Sequence, residues 1–179
     1  MAERSKTGLT RGLVQVYTGE GKGKTTAALG LALRAAGQDM KVIIIQFVKG
    51  GPTCGEHLFV ARYHPFEIVQ LNTGNSFTQT TEELRPVTEQ TLSLAEKTLT
   101  EGKYDVVILD EIFAAVNTGL ITTAQVLDLM KKKPEKAELV LTGRDAPAEV
   151  IQKADLVTEM LVIKHPFTKG IPARRGIEY

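Results

Sequence analysis

Nine residues, TGEGKGKTT at 18–26, combine three glycines with two lysines between an apolar run and an alanine-rich stretch. This is the composition of a turn that holds phosphate. The phosphate-binding pattern G-x-x-x-x-G-K-[ST] is met at its end by Gly23, Lys24 and Thr25, but Thr18 stands where its first glycine belongs. Gly19, Gly21 and Gly23 allow successive backbone N–H groups to turn toward an anion. The helix expected after them adds its positive end. Lys24 can bridge phosphate oxygens, Lys22 brings a second charge to the loop, and the Thr25 hydroxyl suits Mg²⁺ (or Mn²⁺). The dinucleotide pattern G-x-G-x-x-G fails, because position 24 is Lys and the second apolar run ends in Gln46-Phe47 rather than an acid. A second chemical signal lies downstream. Val106–Leu109 lead into Asp110 and Glu111, an apolar run ending in carboxylates, which places an acid near a Mg²⁺-nucleotide. An ordinary acid at a helix start reads the same way, so the pair gains weight only from the loop upstream.

These groups need a scaffold, and the chain supplies an alternation of strands and helices. Strands are expected at 13–18, 40–47, 66–71, 104–111, 137–143 and 156–163, and helices at 25–36, 81–101, 123–133 and 147–154. MKVIIIQF and YDVVILDE have no polar alternation, as in parallel strands covered on both faces. The fold class is therefore α/β, a doubly wound and mostly parallel sheet. Ligands of such sheets sit at the carboxyl ends of strands, where both signals fall. Residues 1–12 are polar, lack an apolar run and are expected to form a flexible arm, with 13–179 a single nucleotide-binding domain.

Composition narrows the function classes. The formal net charge is +1, without the basic excess of a nucleic-acid binder, and aromatic residues are 6% with no Trp, so no stacking platform for single strands is expected. No apolar stretch approaches the length of a membrane span. A single cysteine, Cys54, excludes an internal disulfide and fits a cytoplasmic location.

The stretch GLVQVYTGEGKGKTTAALGLALRAAG, followed by VIIIQFVKG, resembles the corrinoid adenosyltransferases of the ATP:cob(I)alamin type. Their loop carries threonine before its first glycine, so Thr18 matches, while Glu20 replaces the usual asparagine. The resemblance continues through QFVKG (46–50), LNTGNSFT (71–78), VVILDE (106–111), LTGR (141–144) and the ending KHPFTKG…RRGIEY. It implies a RecA-like P-loop fold, a homodimer, and transfer of the adenosyl group of ATP to the cobalt(I) of cob(I)alamin or another cob(I)yrinic acid-type corrinoid. An electron donor such as a flavoprotein would supply the reduced cobalt, and the nucleotide would lie reversed in the loop with C5′ left open. Carried over position by position, the nucleotide contacts are Thr18, Gly19, Glu20, Gly21, Lys22, Gly23, Lys24, Thr25 and Thr26, with Arg34, Gln46, Lys49 and Arg144. Thr25, Glu111 and Asp110 would hold the metal, and Lys24, Glu111 and Phe77 would serve the reacting centre.

Two features depart from the family pattern. Better-known members carry a tryptophan two residues beyond the phenylalanine that presses on the corrinoid; here that position is Gln79, leaving Phe47, Phe59 or Phe66 as substitutes. The N-terminal arm is also short. His57, His64 and His165 are expected to be structural, because a strong imidazole ligand would oppose cobalt reduction. Two other classes remain open on the residues alone: a P-loop phosphotransferase or ATPase using Asp110 or Glu111 as base, and a nucleotide-gated adaptor or strand-binding module.

Overall fold

A computed structural model describes residues 9–50, 54–75 and 78–179. Its elements run β1 (Val14–Thr18), α1 (Lys24–Ala36), β2 (Val42–Gln46), α2 (Gly55–Tyr63), β3 (Glu67–Gln70), α3 (Thr81–Glu101), β4 (Val106–Asp110), α4 (Ile112–Asn117), α5 (Thr123–Lys132), β5 (Glu138–Thr142), α6 (Ala148–Lys153) and β6 (Leu156–Glu159). The six strands form one sheet in the order β3-β2-β4-β5-β1-β6, and every pairing is parallel.

Side chains of successive strand residues point to opposite faces, so the unbroken apolar strands build two cores. One face, Val42, Ile44, Val106, Ile108 and Val140, is covered by Ala28, Ala32 and Ala35 of α1. Small alanines bring that helix close to the sheet. The other face, Ile43, Ile45, Val107, Leu109, Leu139 and Leu141, packs against α3, α5 and α6 through Leu99, Val126, Leu129 and Val150. Each such buried aliphatic side chain stabilises the fold by about 1.5–3 kcal/mol. Capping boxes, Thr80 with Glu83 and Thr122 with Gln125, define the starts of α3 and α5.

β1 ends at Thr18 as expected, and the other strands end one to four residues sooner in the structure. The largest difference is β6, which stops at Glu159 instead of 163. It is an exposed edge strand, and past its end the Met160 carbonyl leaves the ladder to accept a hydrogen bond from the loop glycine Gly21 at 2.6 Å. Helices α2 and α4 were not expected. α2 has no buried residue, and α4 is six residues long, so neither writes a helical period into the sequence. Of the segment 1–12, residues 1–8 lie outside the described part, and Gly12 is buried with its N–H on the Glu135 carbonyl. No helix among the described residues is long and apolar enough to cross a membrane.

Candidate active site

β1 and β4 are separated in the sheet by β5, and the carboxyl ends of all three meet at one rim. The phosphate loop leaves β1 there. Gly19 and Gly23 have φ of 91° and 127°, the region where a side chain is strained. Thr18 needs no such freedom: it is the last residue of β1, and its hydroxyl accepts the Ala146 N–H at 3.1 Å. The threonine in place of the motif's first glycine thus ties the loop base to the segment after β5. Gly21 is glycine for a different reason, since a Cβ there would lie 2.6 Å from the Met160 carbonyl oxygen. Gly21→Ala is expected to push the loop off the end of β6 and weaken ATP binding by roughly tenfold or more, at about one lost hydrogen bond to a charged ligand. Calorimetric titration reads it, and unchanged affinity would show that the β6 contact does not shape the loop.

Lys24, the first residue of α1, folds its ammonium onto the loop, donating to the carbonyl oxygens of Gly19 (2.6 Å) and Gly21 (2.8 Å). Burial, and then the neighbouring Arg144 guanidinium, lower its pKa from the usual lysine value. The next residue, Thr25, gives its hydroxyl proton to Asp110 Oδ1 at 2.9 Å.

Asp110 ends β4 fully buried. Its Oδ1 also accepts the Thr142 hydroxyl at 2.7 Å, and its Oδ2 accepts the Gln46 amide at 3.1 Å. Three donors from three strand or helix ends therefore hold one carboxylate. Thr142, at the end of β5, turns the chain too: its hydroxyl accepts the N–H of Glu111 at 2.9 Å. Glu111 sits at φ 58°, uncommon for a residue with a side chain, and starts α4 from that position. Burial and the adjacent Asp110 raise its pKa above the usual carboxylate range, against the pull of Lys49, Lys24 and Arg144.

Lys49 follows β2 through a tight turn centred on Val48, a β-branched residue at φ 56°. Asn72 steadies that turn, donating to the Val48 carbonyl at 3.1 Å and to Gln79 at 2.9 Å, and so joins the QFVKG and LNTG segments. Lys49 pairs with Glu56 of α2 at 3.1 Å. Burial works to lower its pKa, but Asp110 and Glu56 together leave it raised. Arg144, after β5, pairs with Glu20 of the loop at 3.0 Å. Both side chains of that pair are more than half exposed, so it is weak and the guanidinium is available to an entering anion.

The structure thus gathers Lys24, Thr25, Gln46, Lys49, Asp110, Glu111 and Arg144 at one rim. Lys22 and Arg34 are placed elsewhere. The Lys22 ammonium turns outward to the C-terminal segment, donating to the Ile177 carbonyl (3.0 Å) and Glu178 (2.9 Å) beside a cavity of about 260 Å³. Arg174 and Lys22 hold the Glu178 carboxyl down to about 2. Arg34 lies ten residues along α1 from Lys24, roughly 15 Å at the helical rise. Thr26 is exposed on the first turn of α1. Phe77 lies outside the described residues. Of its substitutes, Phe47 is fully buried in the core and Phe66 precedes β3 at the opposite end of the sheet, so only Phe59, on α2 and 44% exposed, faces solvent widely. Sequence reasoning missed Thr142, Asn72 and Met160, and took His57 as structural without its contact to Gln46. A polar residue closing the apolar run ELVLT was a usable signal for Thr142; Met160, which acts through its carbonyl, left none.

The match to known proteins is continuous over this scaffold. The family model for ATP:corrinoid adenosyltransferase BtuR/CobO/CobP aligns with residues 10–179. The chain belongs to that family. Corrinoid adenosyltransferases of a Sinorhizobium species and of Pseudomonas aeruginosa are 38% and 37% identical over 174 and 172 residues, each match covering 94% of this chain and 81% and 84% of the relative. The corrinoid adenosyltransferase of Escherichia coli is 34% identical over 170 residues, 94% of this chain and 86% of its own. Four of the segments that carry the resemblance, TGEGKGKTT, QFVKG, VVILDE and LTGR, meet at the rim described above.

Proposed function

We propose that the protein transfers the 5′-deoxyadenosyl group of ATP to the cobalt(I) of a corrinoid and releases intact triphosphate, in adenosylcobalamin synthesis or salvage. The observation that carries the reading is a family match from residue 10 to 179 laid over an assembled phosphate loop.

Cobalt(I) is a nucleophile with no proton to lose. Its electron pair forms the bond to C5′, the C5′–O bond breaks, and that pair leaves on the triphosphate. No general base is required. The protein has to place C5′ and stabilise the leaving anion. Loop N–H groups at the start of α1, Lys24, Lys49 and Arg144 supply positive potential at the rim. Lys24 exchanges its two loop carbonyls for phosphate oxygens when nucleotide enters.

The residues also fit a Mg²⁺ ion. Thr25, Asp110 and Glu111 offer hard oxygen donors, and the Thr25 hydroxyl already contacts Asp110. Among the described residues no three His, Cys, Asp or Glu side chains form a metal cage. That suits an ion held jointly with substrate phosphates. Bound there, it would neutralise charge on the departing triphosphate. A homodimer, a reduced flavoprotein as electron donor and a cytoplasmic location belong to the same reading.

The test is a product assay: anaerobic protein, Mg-ATP and chemically reduced cobalamin, with the cobalt spectrum and the phosphate product followed together. Light-sensitive adenosylcobalamin and equimolar triphosphate are expected. ADP and phosphate with no carbon–cobalt bond would return the chain to the hydrolytic P-loop enzymes.

A further inference from the structure

α2 buries no side chain, yet it reaches the site through two polar contacts, Glu56 to Lys49 and His57 to Gln46. The second is the more informative. His57 Nε2 lies 2.7 Å from Gln46 Oε1, and Gln46 Nε2 donates to Asp110 Oδ2 at 3.1 Å. Gln46 is 2% exposed and Asp110 is fully buried, so water does not share these contacts freely.

We infer that His57 is a positioning residue of the nucleotide site: its Nε2–H holds the Gln46 amide in the one orientation that presents NH₂ to Asp110. An ionised carboxylate only accepts, so the amide must turn its nitrogen to Asp110 and its oxygen to the ring. An oxygen facing the ring requires a proton on Nε2, which fixes the tautomer as Nε2–H. A flipped amide would set its carbonyl against Asp110 Oδ2 inside the core, where an unmatched pair of acceptors is costly. The groups around the ring are Glu56, Lys49 and Asp110; burial lowers the His57 pKa, and Glu56 offsets part of that. The contact does not depend on titration, because neutral and charged imidazole both donate from Nε2. Asp110 in turn receives the Thr25 hydroxyl, so the chain His57–Gln46–Asp110–Thr25 runs from the outer helix to the phosphate loop. The inference rests on the reading that Thr25 and Asp110 serve a Mg²⁺-nucleotide.

His57→Leu removes the donor and keeps bulk; His57→Gln returns an N–H near the same place. Calorimetry with ATP, in Mg²⁺ and in EDTA, separates the metal-dependent part. A direct hydrogen-bond partner of a metal-holding side chain is worth about tenfold or more. His57 stands one hydrogen bond further out, behind Gln46, so His57→Leu is expected to weaken binding in Mg²⁺ by roughly three- to tenfold. In EDTA the change should be much smaller, and His57→Gln should recover most of the affinity. Nitrogen NMR of the unliganded wild-type protein should find the His57 proton on Nε2. Equal losses in both variants, equal losses in EDTA, or a proton on Nδ1 alone would overturn the assignment; the NMR decides if His57→Leu does not fold. Wild-type protein that binds Mg-ATP but forms no carbon–cobalt bond would sink the transfer reading and leave this one standing.

Discussion

Lys24→Ala is expected to abolish measurable ATP binding while leaving the fold intact. In the ligand-free protein the ammonium closes the loop on itself through the Gly19 and Gly21 carbonyls. In the proposed complex the same group meets the phosphates, and burial has already stripped part of its hydration. Each hydrogen bond to a charged partner is worth about 1.5–3 kcal/mol, so two lost contacts lower affinity by roughly a hundredfold or more. Lys24 is partly exposed and outside both core clusters, so the melting temperature should hardly change. Calorimetric titration and a thermal melt read both halves. Unchanged ATP affinity would refute the loop assignment, and a collapsed melt would show that Lys24 holds the structure rather than the ligand.

Asp110→Asn should damage both fold and binding. The carboxylate accepts from Thr25, Thr142 and Gln46 with no exposure to solvent. An asparagine has one accepting oxygen, and its NH₂ must face either the two hydroxyls or the Gln46 amide. The hydroxyls can rotate; Gln46 cannot turn without losing His57. A buried donor is left without an acceptor in each arrangement, at a cost of about 1–3 kcal/mol, with the lost charge adding to it. For a chain of this length roughly 3 kcal/mol lowers the melting temperature by roughly 6–12 °C. The Mg²⁺-dependent part of ATP binding should vanish with it. A variant that melts and binds Mg-ATP like the parent would remove Asp110 from the site and leave its three donors as incidental neighbours.

Much of this was legible before the fold was known, and the reason differs by element. The buried parallel strands β2, β4 and β5 announce themselves because a strand covered on both faces can carry no polar residue between its ends. For the same reason the polar ends, Gln46, Asp110 and Thr142, fall together at the rim, although Thr142 was overlooked. α3 was read to its exact bounds from the apolar face of Leu92, Ala95 and Leu99 and from Gly102 as its stop; its capping box was a further mark that went unused. α2 was missed because it is held by Glu56 and His57 rather than by an apolar stripe. Lys22 was read as a phosphate ligand from its charge, its place in the loop and the family resemblance. Its side-chain direction depends on Glu178, 156 residues away, which no local pattern encodes.

What the sequence determined by itself was the chemistry on offer: a glycine-rich turn before a helix, a carboxylate pair after a buried strand, and a family resemblance running almost end to end. Those follow from local spacing, because phosphate cradles and buried strands are built from adjacent residues. The tertiary structure decided which of the candidates share a rim. It set β5 between β1 and β4, so that Thr142 and Arg144 reach the loop, turned Lys22 to the C-terminal segment, and left Arg34 far along α1. It also drew His57 onto Gln46. Strand order and hydrogen bonds across it join residues that are distant in the chain, and packing alone fixes them.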